Sequence, residues 1–236
     1  MVEAGFTVFD RDPGVLRWAQ AASDAVRNID LSPDRCGGTW HVGVDALPNA
    51  LDGSIGGVPL EGPWQVERLD LHPAQVSVIY PEYPRQDEDE PDTAYQYRIK
   101  RCAAHTDGLL PEGPQKRRHL REPHAYVLGL PLGDVSDSPL VVWEGSHKIM
   151  GEAFADALTG VAPEDWGEVD LTDVYQAARR DVFEKCRMEF ISAVKGQAML
   201  LHRHLIHGVA PWNSSRQVPR IVAYFRPQFV DLGRWL

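Results

Sequence analysis

The amino-acid sequence predicts a mainly β protein, an antiparallel jelly roll with helical decoration. Two observations carry that prediction. Short runs rich in β-branched and aromatic residues, each bounded by Pro, Gly or Asp, concentrate between residues 75 and 143 and again after 197. Helical patterns are confined to the start of the chain and one insertion, so the regular strand and helix alternation of a doubly wound sheet is missing. At 236 residues, 43% hydrophobic and 25% charged, the chain has an ordinary globular balance and is long enough for one sizeable core. The expectation is a single domain over 1–236, with a helical and loop region over about 1–74 and a jelly-roll core over about 75–230.

Taken in order, Asp12 and Pro13 open a helix whose core-facing stripe is Val15, Trp18, Ala22, Val26 and Ile29. Gly and Pro then dominate to about residue 74, with a strand in GTWHVGVDAL and a loop in DGSIGGVPLEG. Strands follow in QVSVIY (75–80), AYQYRIKRCA (94–103), HAYVLGLPL (124–132) and PLVVW (139–143). SHKIMGEAFADAL and TDVYQAARRDVFEKC (172–186) predict helices, the second starting at a Thr-Asp cap. QAMLLHRHLIH (197–207), after a turn at Gly196, and RIVAYFRPQFV (220–230) predict the last two strands.

A net charge of −10 argues against a nucleic-acid binder, which needs a basic field to neutralise phosphates. No apolar run approaches the length of a bilayer span, and MVEAGFTVFDRDPG lacks the basic and apolar segments of a secretory signal, so the expectation is a cytoplasmic protein. Cys36, Cys102 and Cys186 are widely spaced and odd in number, which suggests buried thiols rather than a disulfide framework. Two charge runs stand out, the acidic QDEDEPD (86–92) and the basic QKRRHLREPH (115–124). Such runs are usually solvated loops; the functional alternative for the basic one is a rim that attracts an anionic small-molecule substrate.

RCAAHTDGLL (101–110) sets His105 and Asp107 two positions apart at the end of the predicted 94–103 strand. Alternate residues on a strand share a side, so both point inward with Tyr95, Tyr97, Ile99 and Ala103. An unpaired buried carboxylate is costly, and a cation relieves that cost. HRHLIHG offers further imidazoles at His202, His204 and His207, the last directly before Gly208, where the chain can turn. Two imidazoles and one carboxylate on one face of a metal ion leave its other positions open, the arrangement of non-haem Fe(II) oxygenases. His-x-Asp alone is a weak signal, and the residue types leave open which of the three later histidines completes the set.

Together, HTDG, VVWEGSHK, GQAMLLHRHLIHG and PWNSSRQVPRIVAYFRP resemble, in order and spacing, the motifs of the phytanoyl-CoA dioxygenase-like branch of Fe(II)/2-oxoglutarate-dependent oxygenases. The resemblance covers about residues 75–230, and its specificity lies in the motifs taken together. It implies a double-stranded β-helix (a cupin-like jelly roll), Fe(II) on His105, Asp107 and His207, 2-oxoglutarate as cosubstrate, and dioxygen-dependent hydroxylation of a small molecule with release of succinate and CO2. Two departures stand out: Trp143-Glu144 replace the Val-Pro that usually precedes Gly-Ser-His, and GVAPWNSS is spaced differently from the usual Gly-Pro-Asn.

Those departures leave two arginines for the 2-oxoglutarate C5 carboxylate. Arg216 lies in the polar turn NSSRQVP, whereas Arg220 opens the strand RIVAYF on one face with Val222 and Tyr224. A cation at the start of a buried strand needs an anion, so the choice falls on Arg220. His147 is expected as a turn residue, His202 and His204 as core or supporting groups, and Trp143, Tyr95, Tyr97 and Tyr126 as wall or core. Three rivals remain: a halogenase, disfavoured because Asp107 occupies the halide's position; a cupin-type non-oxidative metal enzyme such as an isomerase; and an inactive small-molecule binding module.

Overall fold

Two antiparallel sheets form the centre of a computed structural model whose described residues run from 3 to 236. In chain order the elements are β1 (Phe6–Phe9), α1 (Pro13–Val26), β2 (Trp40–Gly43), β3 (Gln75–Ile79), α2 (Asp92–Arg101), β4 (Leu109–Glu112), β5 (Arg117–Leu120) and β6 (Tyr126–Pro131). They continue with β7 (Leu140–Trp143), α3 (Ser146–Ala157), α4 (Thr172–Lys185), β8 (Met188–Ile191), β9 (Ala198–His202), β10 (His207–Val209) and β11 (Arg220–Phe225). The major sheet runs β1-β9-β6-β11-β3-β2, the minor sheet β10-β7-β8, and β4 and β5 form a separate hairpin.

Side-chain alternation divides the major sheet into two faces. Val222 lies opposite Ser77 on one side and Pro131 on the other, so these residues share a face. On that inner face Val127, Met199, Leu201 and Val222 pack against Leu140, Val142 and Ile191 of the minor sheet. On the outer face Val76, Leu128, Leu200 and Phe225 pack against Val15, Trp18 and Ala22 of α1. The far side of the minor sheet, through Val141 and Trp143, is covered by Met150 and Phe154 of α3 and Tyr175 and Val182 of α4. Trp18 is fully buried, so Trp18→Ala at this centre costs about 3–5 kcal/mol.

α1 starts as its sequence indicates. The Asp12 carboxylate accepts from Gly14 N at 2.7 Å and Val15 N at 3.0 Å, and Pro13 occupies the first turn. β3, β6, β7, α3, α4 and β11 also fall where expected. The first 74 residues supply both edge strands of the major sheet, β2 within GTWHVGVDAL and the unanticipated β1. β8 is likewise new.

Three segments depart from expectation. Residues 94–103, expected as a strand, belong largely to α2. Asp92 in its first turn and Arg98, Lys100 and Arg101 in its last complement the helix dipole, and no residue of α2 is fully buried, so Tyr95, Tyr97 and Ile99 do not form a core-facing strand row. QAMLLHRHLIH, expected as one strand, breaks at 203–206, where Leu205 joins the core between the sheets and Ile206 the core under α3 and α4. The basic run is not a solvated loop, because it contains β5. Arg117 pairs with Asp170, and with Asp173 at 3.3 Å; Arg118 lies 4.8 Å over the Tyr175 ring; Arg121 pairs with Glu112. In the acidic run, Asp87 accepts from Gly37 N at 2.6 Å and Glu90 pairs with Arg98. Arg117, Arg121, Asp87 and Glu90 are thus engaged by partners within the fold, whereas Glu88 and Asp89, in the exposed loop expected for the acidic run, and Lys116 face solvent. The cysteines are unpaired thiols, and burial pushes Cys36 up to about 11. Among the described residues no helix is long and apolar enough to cross a membrane.

Candidate metal centre

His105 and His207 come together through the main chain. His105 N donates to His207 O at 2.8 Å and His207 N to His105 O at 2.9 Å, an isolated antiparallel bridge. β10 then carries His207 opposite Val142 of β7. The two residues after α2, Cys102 and Ala103, are left-handed, with φ of 53° at both, so the helix ends sharply and His105 enters the bridge directly. Gly208 was expected to let the chain turn; instead it lies within β10 and permits close approach, since a Cβ there would meet the Cys102 carbonyl oxygen at 2.1 Å. Thr106, buried between the two candidate ligands, donates its hydroxyl to Arg203 O at 3.0 Å and ties the His-x-Asp segment to the turn before His207.

The side chains converge accordingly. One ligand atom from each of His105, Asp107 and His207 lies within 4.8 Å of the other two. Asp107 Oδ1 is 3.3 Å from His105 Nε2, and Oδ2 is 3.7 Å from His207 Nε2. His105 Nδ1 lies 2.9 Å from Ala103 O and His207 Nδ1 3.0 Å from Leu205 O. A carbonyl only accepts, so each Nδ1 carries the hydrogen and Nε2 faces the carboxylate, the tautomer a metal requires.

Electrostatics keep Asp107 ionised. Burial works against its charge, but Arg226, with Nη1 at 3.7 Å, and the two imidazoles outweigh it and hold the carboxyl well below its usual range. His207 is driven down to about 4, chiefly by burial, and so is neutral. For His105 burial also disfavours the charged ring, yet the bonded Asp107 carboxylate prevails and raises it; its side chain keeps 43% exposure, which eases the opposing burial cost. Two imidazole nitrogens and a carboxylate fit a divalent first-row transition metal.

The three residues open on a cavity of about 210 Å³ between the sheets, which Gln75, Tyr224 and Arg226 also line. A larger cavity, about 720 Å³, lies on the outer face under residues 51–71 and holds none of the converging groups. Arg220 shares the inward side of β11 with Val222 and Tyr224. It is 2% exposed, and its Nη1 has no hydrogen-bond partner among the described residues. Arg216 is exposed and pairs with Asp137 at 3.0 Å. His202 and His204 stand apart from the converging set: His204 packs edge-on against Trp235 at 4.6 Å, and the His202 ring lies tilted against His147, 4.9 Å between centroids. Burial pushes His202 down to about 4. Trp143 is core, Tyr126 is buried on the outer face, and His147 lies in the first turn of α3. Gln75, Thr106 and Arg226 were not anticipated; for Arg226 the signal was the alternation of β11 continued past its last residue.

No protein-family model matches the chain, and no curated protein matches it. Solved structures similar to it include SnoK, a non-heme alpha ketoglutarate dependent carbocyclase from nogalamycin biosynthesis, at 13% identity and a TM-score of 0.48, covering 96% of this chain and 81% of that one. HygX from Streptomyces hygroscopicus, with nickel, 2-oxoglutarate and hygromycin B bound, is 16% identical, with a TM-score of 0.48 and 97% and 85% coverage. EctD from S. alaskensis, with 2-oxoglutarate and 5-hydroxyectoine, is 13% identical, with a TM-score of 0.45 and 95% and 73% coverage. Likeness of this degree carries no weight for the chemistry, which rests on the residues themselves.

Proposed function

We propose that the chain is a non-haem Fe(II)/2-oxoglutarate-dependent oxygenase of the phytanoyl-CoA dioxygenase-like branch, a single double-stranded β-helix domain that hydroxylates a small molecule. The observation that carries this reading is a pairing on one interior: two imidazoles and a carboxylate converge at the cavity, and the inward face of β11 holds a buried guanidinium nitrogen without a partner. A structural role explains the pair poorly: Asp107 stays charged in the interior only with Arg226 and two imidazoles gathered around it, and the Arg220 nitrogen lacks an acceptor, so a bound cation and a bound anion would serve both.

His105, Asp107 and His207 hold Fe(II). When bound, the metal supplies the oxidative chemistry, in which 2-oxoglutarate, O2 and a substrate C–H give succinate, CO2 and the alcohol. The chain's part is placement. The Nδ1 hydrogen bonds to Ala103 O and Leu205 O fix both rings with Nε2 toward the metal. Arg220 takes the C5 carboxylate of 2-oxoglutarate in its planar fork, a geometry a lysine does not reproduce. Val127 and Leu140 line the cavity with apolar surface and limit water there.

The test is anaerobic reconstitution with Fe(II), followed by oxygen uptake and succinate release with and without 2-oxoglutarate. About one Fe(II) per chain and uptake that requires 2-oxoglutarate are expected. Metal binding with turnover indifferent to 2-oxoglutarate would instead identify a cupin-type enzyme.

A further inference from the structure

Arg226 does something the metal triad and Arg220 leave unexplained. It directly follows β11 and continues the inward series of Arg220, Val222 and Tyr224. Among the described residues lining the 210 Å³ cavity it is the one arginine or lysine, and Asp107 is the one carboxylate. Its Nη1 stands 3.7 Å from Asp107 Oδ2, close enough for charge attraction but beyond hydrogen-bond length. Its Nη2 is tethered to the Gln75 side-chain oxygen on neighbouring β3, a neutral partner that fixes position without cancelling charge. Glu122, another carboxylate whose field reaches Arg226, is held by His124 at 3.2 Å. The charge of Arg226 is thus balanced mainly by a carboxylate that the proposed metal must claim.

We propose that Arg226 is a second anion-binding group of the metal cavity: it serves as counter-ion to Asp107 until a divalent metal takes that carboxylate, and then receives a carboxylate of the ligand bound at the metal. This rests on the metal assignment above. A half-buried guanidinium that loses its counter-ion seeks another anion, and a carboxylate matches its fork. Cation and anion binding are therefore coupled through one residue. Arg226 opposes the metal alone and favours the metal with its carboxylate ligand.

Opposite signs make the idea testable. Binding of Mn(II) is followed by the EPR signal of free Mn(II), first alone and then with oxalate, a chelator that lacks the distal carboxylate assigned to Arg220; 2-oxoglutarate is titrated separately. Arg226→Gln is expected to bind Mn(II) alone at least about tenfold more tightly, since a nearby like charge is removed, while oxalate affinity of the Mn(II)-loaded protein falls at least about tenfold. Loss of both affinities, or no change in either, overturns the proposal and leaves Arg226 as a structural contact. Arg226→Lys guards against a misfolded variant: it keeps the charge, so Mn(II) affinity stays within about twofold while the lost fork still weakens oxalate. Equal weakening of both in that variant also refutes the idea. Wild-type protein that binds Mn(II) and oxalate but not 2-oxoglutarate would sink the oxygenase reading and leave this one standing.

Discussion

Replacing Arg220 with Met separates the needs of folding from those of ligand binding. The side chain is 2% exposed with an unpaired Nη1, and an unsatisfied buried donor costs about 1–3 kcal/mol, more when charged. Methionine fills similar length without charge, and apolar replacement of buried charges is often stabilising. Metal-free Arg220→Met is therefore expected to be more stable than wild type by about 2 kcal/mol, which for a chain of this size raises Tm by roughly 4–8 °C. Binding of 2-oxoglutarate to the Mn(II)-loaded variant should weaken at least about tenfold, the minimum expected when one partner of a desolvated charge pair is lost. Mn(II) binding itself should persist. Thermal melts of the metal-free proteins and calorimetric titration of 2-oxoglutarate measure the two effects. A lower Tm would mean that the guanidinium is already satisfied in the folded chain. Unchanged 2-oxoglutarate affinity, combined with a loss in Arg216→Ala, would move the carboxylate site to the exposed arginine.

His105→Ala, Asp107→Ala and His207→Ala should each abolish stoichiometric Fe(II) binding measured anaerobically, whereas His202→Ala should retain it; the reverse ranking would reassign the third ligand. Metal affinity should rise with pH. A metal must displace the proton that the raised His105 holds, so affinity climbs until pH passes that group and then levels, while His207, neutral above about 4, adds no step at neutral pH. Mn(II) titrations at several pH values check the direction, and a flat profile contradicts it. Gly208→Ala drives a Cβ into the Cys102 carbonyl at 2.1 Å; the shift should cost about 1–3 kcal/mol of stability and loosen the His105–His207 bridge, read as a lower Tm together with weaker Mn(II) binding. Normal binding would show that β10 can relax without moving its histidine.

Where local pattern and tertiary environment agree, the elements were legible. Asp12, Pro13 and the stripe through Trp18 specify α1, and the β-branched runs specify β3, β6 and β7. The failures have identifiable causes. Tyr95, Tyr97 and Ile99 mimic a strand's two-residue period, and the opposing signal lay in charges placed at the two ends of α2. No Gly or Pro marks the break between β9 and β10, because it arises from Leu205 and Ile206 entering different cores, which no local pattern encodes. Two arginines and a histidine disguised β5, whose partners come from Asp170 and Asp173 far along the chain. The meeting of His105, Asp107 and His207 was anticipated, but by the wrong route: a main-chain bridge brings the histidines together, not an extended strand over 94–103.

That bridge joins residues 102 positions apart (207 − 105), and the separation bears on folding order. The β4–β5 hairpin can form from neighbours, whereas the bridge requires a long loop to close first, an entropic cost that slows non-local pairing. A nascent chain emerging with His105 and Asp107 has two donors but no enclosed pocket until β10 has been synthesised and seated on β7. Capture of a metal by all three residues would therefore follow docking of the sheets. For the same reason, a brief opening at the β10 edge would release the ion while α1 and the outer core remain folded.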